Sequence, residues 1–247
     1  MVVRNFYSQA AREKIIQEIE NSMKSNSNIS NWKVTQSNGE LKNSDVNTIG
    51  IPLNVAKGSG RVNEYYSGAL NSTRRFRLGE TLSPIDKVRL ELDEVHPYGC
   101  ILGRDEATRN PHAAGLIRIM KRSSNRGLVH LDDLSECLPH TGVFSANVYL
   151  QTSLAGGEIE IWPVSLNSKD LLMDYALELG LLTSSSAEIE NQRLLREFVL
   201  PGAPIQITPN PGDLLLLCVQ RPHSVRGPIH GSRARLSAQC FVLHKGG

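Results

Sequence analysis

Long hydrophobic runs are missing from this chain. The longest, Leu214 to Val219, is far short of the roughly 20 apolar residues that span a bilayer. It suits a buried strand instead. The N-terminal stretch MVVRNFYSQAAREK has no apolar core of the kind a secretory signal needs, so a cytoplasmic protein is expected. Cysteine is scarce. Cys100, Cys137, Cys218 and Cys240 are widely spaced with no CxxC pair, which argues against a zinc knuckle or a thioredoxin-like redox site. Cys218 and Cys240 lie in apolar runs and read as small buried residues. A charge excess is missing too: 27 Lys and Arg face 25 Asp and Glu, which leaves no obvious basic surface for nucleic acid. Aromatic residues are only 5%, which also argues against extensive base stacking. There are no internal repeats, no low-complexity tails and no Ser/His/Asp or Cys/His nucleophile pattern.

What is present is an ordinary globular composition. A length of 247 residues, 40% hydrophobic and 21% charged, suits a single domain with its own core. Residues 8–23 have helical period, with Ile15, Ile16 and Ile19 as one apolar stripe. Residues 24–50 are rich in Ser, Asn and Gly, with strand-like pieces such as that beginning at Trp32. Residues 57–80 read as irregular and lid-like, ending in the basic run Arg74, Arg75 and Arg77. Residues 83–95 are a clearer helix, with Ser83 as N-cap, Pro84 in the first turn, and Pro97 and Gly99 ending it.

From residue 115 the texture changes to short β-prone runs separated by turn residues. They are Leu116 to Met120, Gly127 to Leu131, Val143 to Gln151, Glu158 to Trp162, Pro204 to Thr208, Asp213 to Val219 and Arg235 to Leu243. A helical excursion at about 168–196 interrupts them. The fold expected is α+β with a mainly β core, a sandwich or barrel carrying one long insertion. The chain is expected to be one domain, with residues 1–114 as an α-rich part packing on a core at 115–244.

Three elements of the β half carry chemistry. The first is Val129-His130-Leu131-Asp132-Asp133. Residues two apart on a strand point the same way, so His130 and Asp132 can take adjacent positions on a metal. An H-x-acid match is weak alone, since about 0.7 is expected by chance from composition. The second is the Pro/Gly turn Pro209 to Gly212, feeding the apolar run at Leu214 and then His223. His130, Asp132 and His223 would form a two-His-one-carboxylate set, which leaves three positions open and suits non-haem Fe(II). The third is Arg235, with Arg233 on the same face by alternation. A guanidinium leading an apolar strand is costly unless it meets an anion, and its planar fork suits a carboxylate.

Together these three elements resemble the Fe(II)/2-oxoglutarate-dependent oxygenases, over about residues 115–244. Leu154 to Trp162, with its Gly-Gly-Glu turn, also looks like a feature of that family. The helical insertion and Arg118 are similar to its small-molecule hydroxylase and halogenase branch. The resemblance implies a double-stranded β-helix (jelly roll) core, and Fe(II), 2-oxoglutarate and O2 as metal and cosubstrates. It implies that His130, Asp132 and His223 hold the iron, and that Arg235 binds the distal carboxylate of 2-oxoglutarate, with Arg233 as the competing candidate. Arg118 and Asn147 would line the same pocket. Halogenating members lack the metal carboxylate, so Asp132 favours hydroxylation of an unactivated C–H bond, with 2-oxoglutarate converted to succinate and CO2. Asp133 is a candidate for a substrate ammonium.

Substrate-facing residues are expected in the N-terminal half and at the barrel mouth. Tyr65 and Tyr66 are the foremost candidates. Arg74, Arg75, Arg77 and Arg104 are available either for an anionic substrate or as a solvated face. His112 reads as structural. The substrate expected is a small molecule, such as an amino acid or specialised metabolite, with no nucleic-acid or membrane partner. The rival readings are a peptide or protein hydroxylase of the same family, and a non-catalytic cupin-like metabolite binder.

Overall fold

The computed structural model describes residues 1–25, 29–35, 41–68, 81–105, 107–121, 127, 129–130, 132, 142–164, 193–200, 202–218, 221–229 and 233–244. Most of the helical insertion expected at 168–196 lies outside these residues, as do Asp133, Arg74, Arg75 and Arg77. Its described end is helical and closes in a π-helical turn, Leu195–Val199.

In chain order the strands are β1 Val2–Val3, β2 Ile29–Thr35, β3 Leu41–Ile49, β4 Cys100–Leu102, β5 Leu116–Met120, β6 Gly142–Gln151, β7 Ile159–Ile161, β8 Ile205–Ile207, β9 Leu214–Cys218, β10 His223–Val225 and β11 Arg235–His244. The helices are α1 Gln9–Lys24, α2 Leu53–Gly58, α3 Val62–Gly68 and α4 Pro84–Val95. The two long helices start where the caps lie in the sequence. Ser8 accepts from the Ala11 amide, and Ser83 accepts from the Asp86 amide just ahead of Pro84, satisfying donors that have no partner within the helix.

The larger sheet runs β1-β9-β6-β11-β5-β3-β2, with β4 also paired to β11. All its pairings are antiparallel. The smaller sheet runs β10-β7-β8. A backbone bridge from His130 to His223 lays the His130 segment beside β10. The whole is a mainly antiparallel β architecture with helices outside, consistent with a jelly-roll fold.

Side-chain alternation assigns the two faces of the large sheet. Ala146, Val148, Leu150, Leu214, Leu216, Leu236, Ala238, Cys240 and Val242 pack with Ile15, Ile19, Ile85 and Val88 of the helices. The intervening positions face the small sheet, where Tyr149, Leu215 and Leu217 meet Ile159 and, at the rim, Val225. On β6, β9 and β11 the even-numbered positions thus pack in the core and the odd-numbered face is free to hold polar groups, whereas on β5 the parity reverses, with Ile117 and Ile119 in the core and Arg118 on the polar face.

Several sequence expectations need correction. Gly127 to Leu131 is not a continuous strand among the described residues; its one ladder contact is the bridge at His130. His223 follows β9 as expected, but it opens a strand of its own, β10, rather than lying in a loop at the strand's end; the Arg221 amide bonds the Cys218 carbonyl. Residues 57–68, read as irregular, contain the end of α2 and all of α3. These helices are too short to signal by period, and tertiary burial of Val55, Ala56 and Tyr65 holds them. Within residues 24–50, where strand-like pieces were expected, β2 and β3 pair antiparallel along their length, and polar pairs such as Asn31 with Asn47 gave little apolar signal. Cys218 is half-buried rather than buried, whereas Cys240 is buried.

Candidate metal centre

His130, Asp132 and His223 converge on one point. Each offers a ligand atom, and these atoms all lie within 4.8 Å of one another. Local packing explains the convergence. Val129 is buried with Trp162, Leu195 and Leu200 on the outer side of the small sheet, so its neighbour His130 turns inward. On β10, Ser224 faces outward to Glu160, so His223 and Val225 turn inward. The reciprocal backbone bonds between His130 and His223, 2.9 and 3.0 Å, set their rings 4.3 Å apart between centroids.

The donor set fits a cation. The Asp132 Oδ2 atom is buried and takes no hydrogen bond from any described residue; His223 Nε2 stands 3.9 Å away, beyond bonding range. A carboxylate oxygen buried without a donor is costly unless a positive charge meets it. The His223 Nδ1 atom lies 3.0 Å from the Arg221 carbonyl. A proton on Nδ1 would donate there and leave the Nε2 lone pair facing Asp132.

Behind these three side chains lies a small cavity, part of it open to solvent. Its walls are Ile159, Leu215, Leu217 and Val225, and its floor is polar, with Arg118, Ser145, Asn147, Tyr149, Arg235 and Gln239. Arg235 is 3% exposed. It donates to the Tyr149 hydroxyl at 3.1 Å and lies over that ring at 4.9 Å. Arg118 donates to Gln239 Oε1 at 3.1 Å. Gln239 Nε2 and Asn147 Nδ2 both donate to the Ser145 hydroxyl, at 2.9 and 3.1 Å. This makes a chain of polar groups across β5, β11 and β6. Burial, and then the neighbouring Arg235 charge, push the Arg118 guanidinium down to about 10, while Asp132 acts in the opposite sense. It remains a cation at neutral pH. Two guanidiniums and no carboxylate line the cavity among the described residues, so the floor favours an anion.

The remaining candidates fall elsewhere. Arg233 is exposed and absent from the cavity lining. Tyr65 and Tyr66 do not line it either. The Tyr65 hydroxyl accepts from the Ala113 amide at 2.9 Å, and the two rings meet edge to face at 5.0 Å. Tyr66 bonds Asp105, a carboxyl held below the usual range chiefly by Thr108. Arg104 donates to the Arg109 carbonyl, and His112 is buried. Sequence reasoning missed Tyr149, Ser145 and Gln239. The signal was a polar residue at every second position of otherwise apolar β6 and β11. The Gly156–Gly157 turn lies against this end of the cavity. Gly156 has φ +78°, and a Cβ there would meet the Gly227 carbonyl oxygen at 2.2 Å, so glycine is required.

No protein-family model matches the chain, and no curated protein matches it. Among solved structures, the chain is similar to the non-haem α-ketoglutarate (2-oxoglutarate)-dependent epimerase SnoN from nogalamycin biosynthesis. That match has 11% identity and a TM-score of 0.52, covering 99% of this chain and 76% of that one. It is also similar to HygX from Streptomyces hygroscopicus with nickel and 2-oxoglutarate bound, at 15% identity and TM-score 0.49, over 98% and 81%. A third is an N-substituted L-amino acid dioxygenase from Burkholderia ambifaria AMMD, at 14% identity and TM-score 0.48, over 86% and 94%. The structural neighbours of this chain are thus Fe(II)/2-oxoglutarate-dependent enzymes. Of these three likenesses the first exceeds 0.5, and at its low identity it establishes a shared fold. No helix among the described residues is long and apolar enough to cross a membrane.

Proposed function

We propose that this chain is an Fe(II)/2-oxoglutarate-dependent oxygenase on a double-stranded β-helix, and that it hydroxylates an unactivated C–H bond of a small molecule. The observation that supports this best is the pairing of a His-Asp-His set, with its orphaned carboxylate oxygen, and an arginine-floored cavity directly behind it. Topology supports the core assignment: β9-β6-β11-β5 faces β10-β7-β8 with the His130 segment alongside. The reading treats residues 1–247 as one domain, with 1–114 packed on the catalytic part.

His130, Asp132 and His223 would hold the ferrous ion from one side, leaving three positions for ligands. Bound there with 2-oxoglutarate and O2, the ion supplies the oxidising power for C–H cleavage. The chain's own residues bind and orient. Arg235 would meet the distal carboxylate of 2-oxoglutarate with two parallel donors, steadied by Tyr149. Arg118 adds positive charge to the same floor, and Asn147 a neutral polar group. The apolar walls exclude water, which strengthens the guanidinium–carboxylate attraction. The retained Asp132 favours hydroxylation over halogenation. SnoN, an epimerase by its description, makes stereochemical inversion the second reading.

The test is anaerobic titration of the metal-free protein with Fe(II) and 2-oxoglutarate, watching for a weak visible charge-transfer band. Succinate release is then screened across small molecules and peptides. A band with substrate-dependent succinate supports the reading, and product analysis separates hydroxylation from inversion. Absence of both iron retention and the band refutes it, in favour of a jelly-roll binding protein.

A further inference from the structure

The outer face of the small sheet carries a buried ion pair that the chemistry above does not use. Glu160 on β7 and Ser224 on β10 are register partners, 3% and 1% exposed. The Ser224 hydroxyl donates to Glu160 Oε2 at 2.9 Å. Arg196, from the π-helical turn Leu195–Val199, brings its Nε to 3.5 Å from the same oxygen, with its side chain 9% exposed. Its Nη2 donates to the Gly127 carbonyl at 2.6 Å. The guanidinium carbon also stands 6.0 Å from the centre of the Trp162 ring.

Each contact leads to a segment that carries a ligand. Gly127 begins the stretch that reaches His130 and Asp132. Ser224 follows His223 directly. The Trp162 amide donates to the Pro222 carbonyl, just ahead of His223. Gly127 is pressed against β10 so closely that a Cβ would meet the Val225 carbonyl oxygen at 1.9 Å. One guanidinium therefore spans both ligand-bearing segments from the face opposite the cavity. A surface helix end has no packing need for a buried charge, and apolar groups fill such positions at less cost. A guanidinium that hydrogen-bonds a backbone carbonyl with one arm and stands in ion-pair contact with a carboxylate at Nε links two segments at a set spacing.

We propose that Arg196 is a positioning residue for the metal centre. Through Glu160 and Gly127 it holds the His130–Asp132 segment and the His223 segment at the separation a single ion requires. This rests on the metal-site reading above.

The test uses Co(II) as a spectroscopic probe of the full-length protein. Its dissociation constant and visible d–d spectrum are compared in the wild type, Arg196→Lys, Glu160→Gln and the double variant, with circular dichroism and Tm alongside. Lysine keeps the charge beside Glu160 but lacks the second arm to Gly127, and Glu160→Gln keeps the shape, so either folded single variant suffices. The expected result is Co(II) binding weakened about tenfold or more in each single variant, with an altered spectrum. The double variant should be no worse than the poorer single, because the residues act as one unit. Folded variants with wild-type affinity and spectrum, even with a lowered Tm, would overturn the proposal by showing a purely structural pair. A wild type that binds no Co(II) would instead remove the metal-site reading itself.

Discussion

Replacing Arg235 with methionine separates binding from folding more cleanly than any other single change at this site. Methionine keeps an unbranched apolar stem and removes the guanidinium together with its contacts to the Tyr149 ring and hydroxyl. In the wild type that group is buried, 3% exposed, with Tyr149 as its bonded partner and Arg118 as a like-charged neighbour. Losing a buried charge partner costs about 3–5 kcal/mol. Arg118 stays in the same cavity and offsets part of the loss, so the lower end applies. At about 1.4 kcal/mol per tenfold, about 3 kcal/mol corresponds to roughly 100-fold weaker 2-oxoglutarate binding. Stability of the ligand-free protein should move the other way or not at all. Burial and then the Arg235 charge depress the Arg118 guanidinium, so removing one of two crowded cations relieves repulsion. The assay is anaerobic titration of 2-oxoglutarate at fixed Fe(II), with thermal unfolding of the metal-free and ligand-free protein in parallel. The expected pair of results is a dissociation constant raised about 100-fold and a Tm no lower than wild type by more than about 2 °C. A folded variant that binds 2-oxoglutarate within threefold of wild type would refute the assignment of the cavity floor.

Three further outcomes are expected. Asp132→Ala should weaken Fe(II) binding by at least about 100-fold, more than orienting partners are usually worth. It should leave the Tm shift produced by 2-oxoglutarate alone intact, because Arg235 and Arg118 are untouched; equilibrium dialysis and thermal unfolding read the two effects. Asp213 is 1% exposed and accepts from Arg4 and from the Asn5 and Asn210 amides, tying the N-terminus to the turn before β9. Asp213→Ala should cost about 3 kcal/mol, a fall in Tm on the order of 10 °C, seen in a thermal melt. Burial pushes the Cys240 thiol up to about 12 from its ordinary 9.0. The folded protein should therefore resist iodoacetamide at pH 8.5 at this residue, by mass spectrometry, until denatured. Between about pH 9 and 12 the unfolded chain loses this proton and the folded one keeps it, so the term lowers stability as pH rises.

How much could be read in advance depended on which physical signal each residue carried. Helix α4 was legible because a capping side chain, an apolar face and stop residues agreed with one another, and α1 was legible from its isoleucine stripe alone. Strand β5 was legible to the residue because the β-prone run Leu116 to Met120, apolar on either side of Arg118, is bounded by Gly115 and Lys121. His130 and Asp132 were singled out on a two-residue strand period that the described residues do not bear out beyond the bridge at His130, and His223 from its place beyond an apolar strand. Their convergence was not legible. It depends on Val129 packing outward against Trp162 and Leu195, a contact between distant parts of the chain. The hairpin β2–β3 was faint because its ladder is carried by backbone bonds and polar pairs, which leave no hydrophobic pattern. Tyr65 and Tyr66 were attractive as aromatics in an irregular segment, but the short α3 turns them toward Ala113 and Asp105, away from the cavity lining.

The same alternation that builds the core also builds the site. On β6, β9 and β11 the even positions are apolar and lock against α1 and α4. Those helices anchor the large sheet from one side, so the opposite face is spared the full task of closing the fold. It can carry Arg235, Gln239, Ser145, Asn147 and Tyr149, a set of polar groups that would be ruinous in a core lacking partners for them. On the small sheet the parity repeats, with His223 inward and Glu160 and Ser224 outward. A one-residue slip of β10 against β7 would exchange His223 for Ser224 and carry one of the three proposed ligands to the wrong face. The Ser224–Glu160 hydrogen bond, with Arg196 in ion-pair contact, opposes that slip, because Ser224 meets Glu160 in this register. Specificity of register, rather than added stability, is the physical reason to keep a charge pair where a leucine would fit.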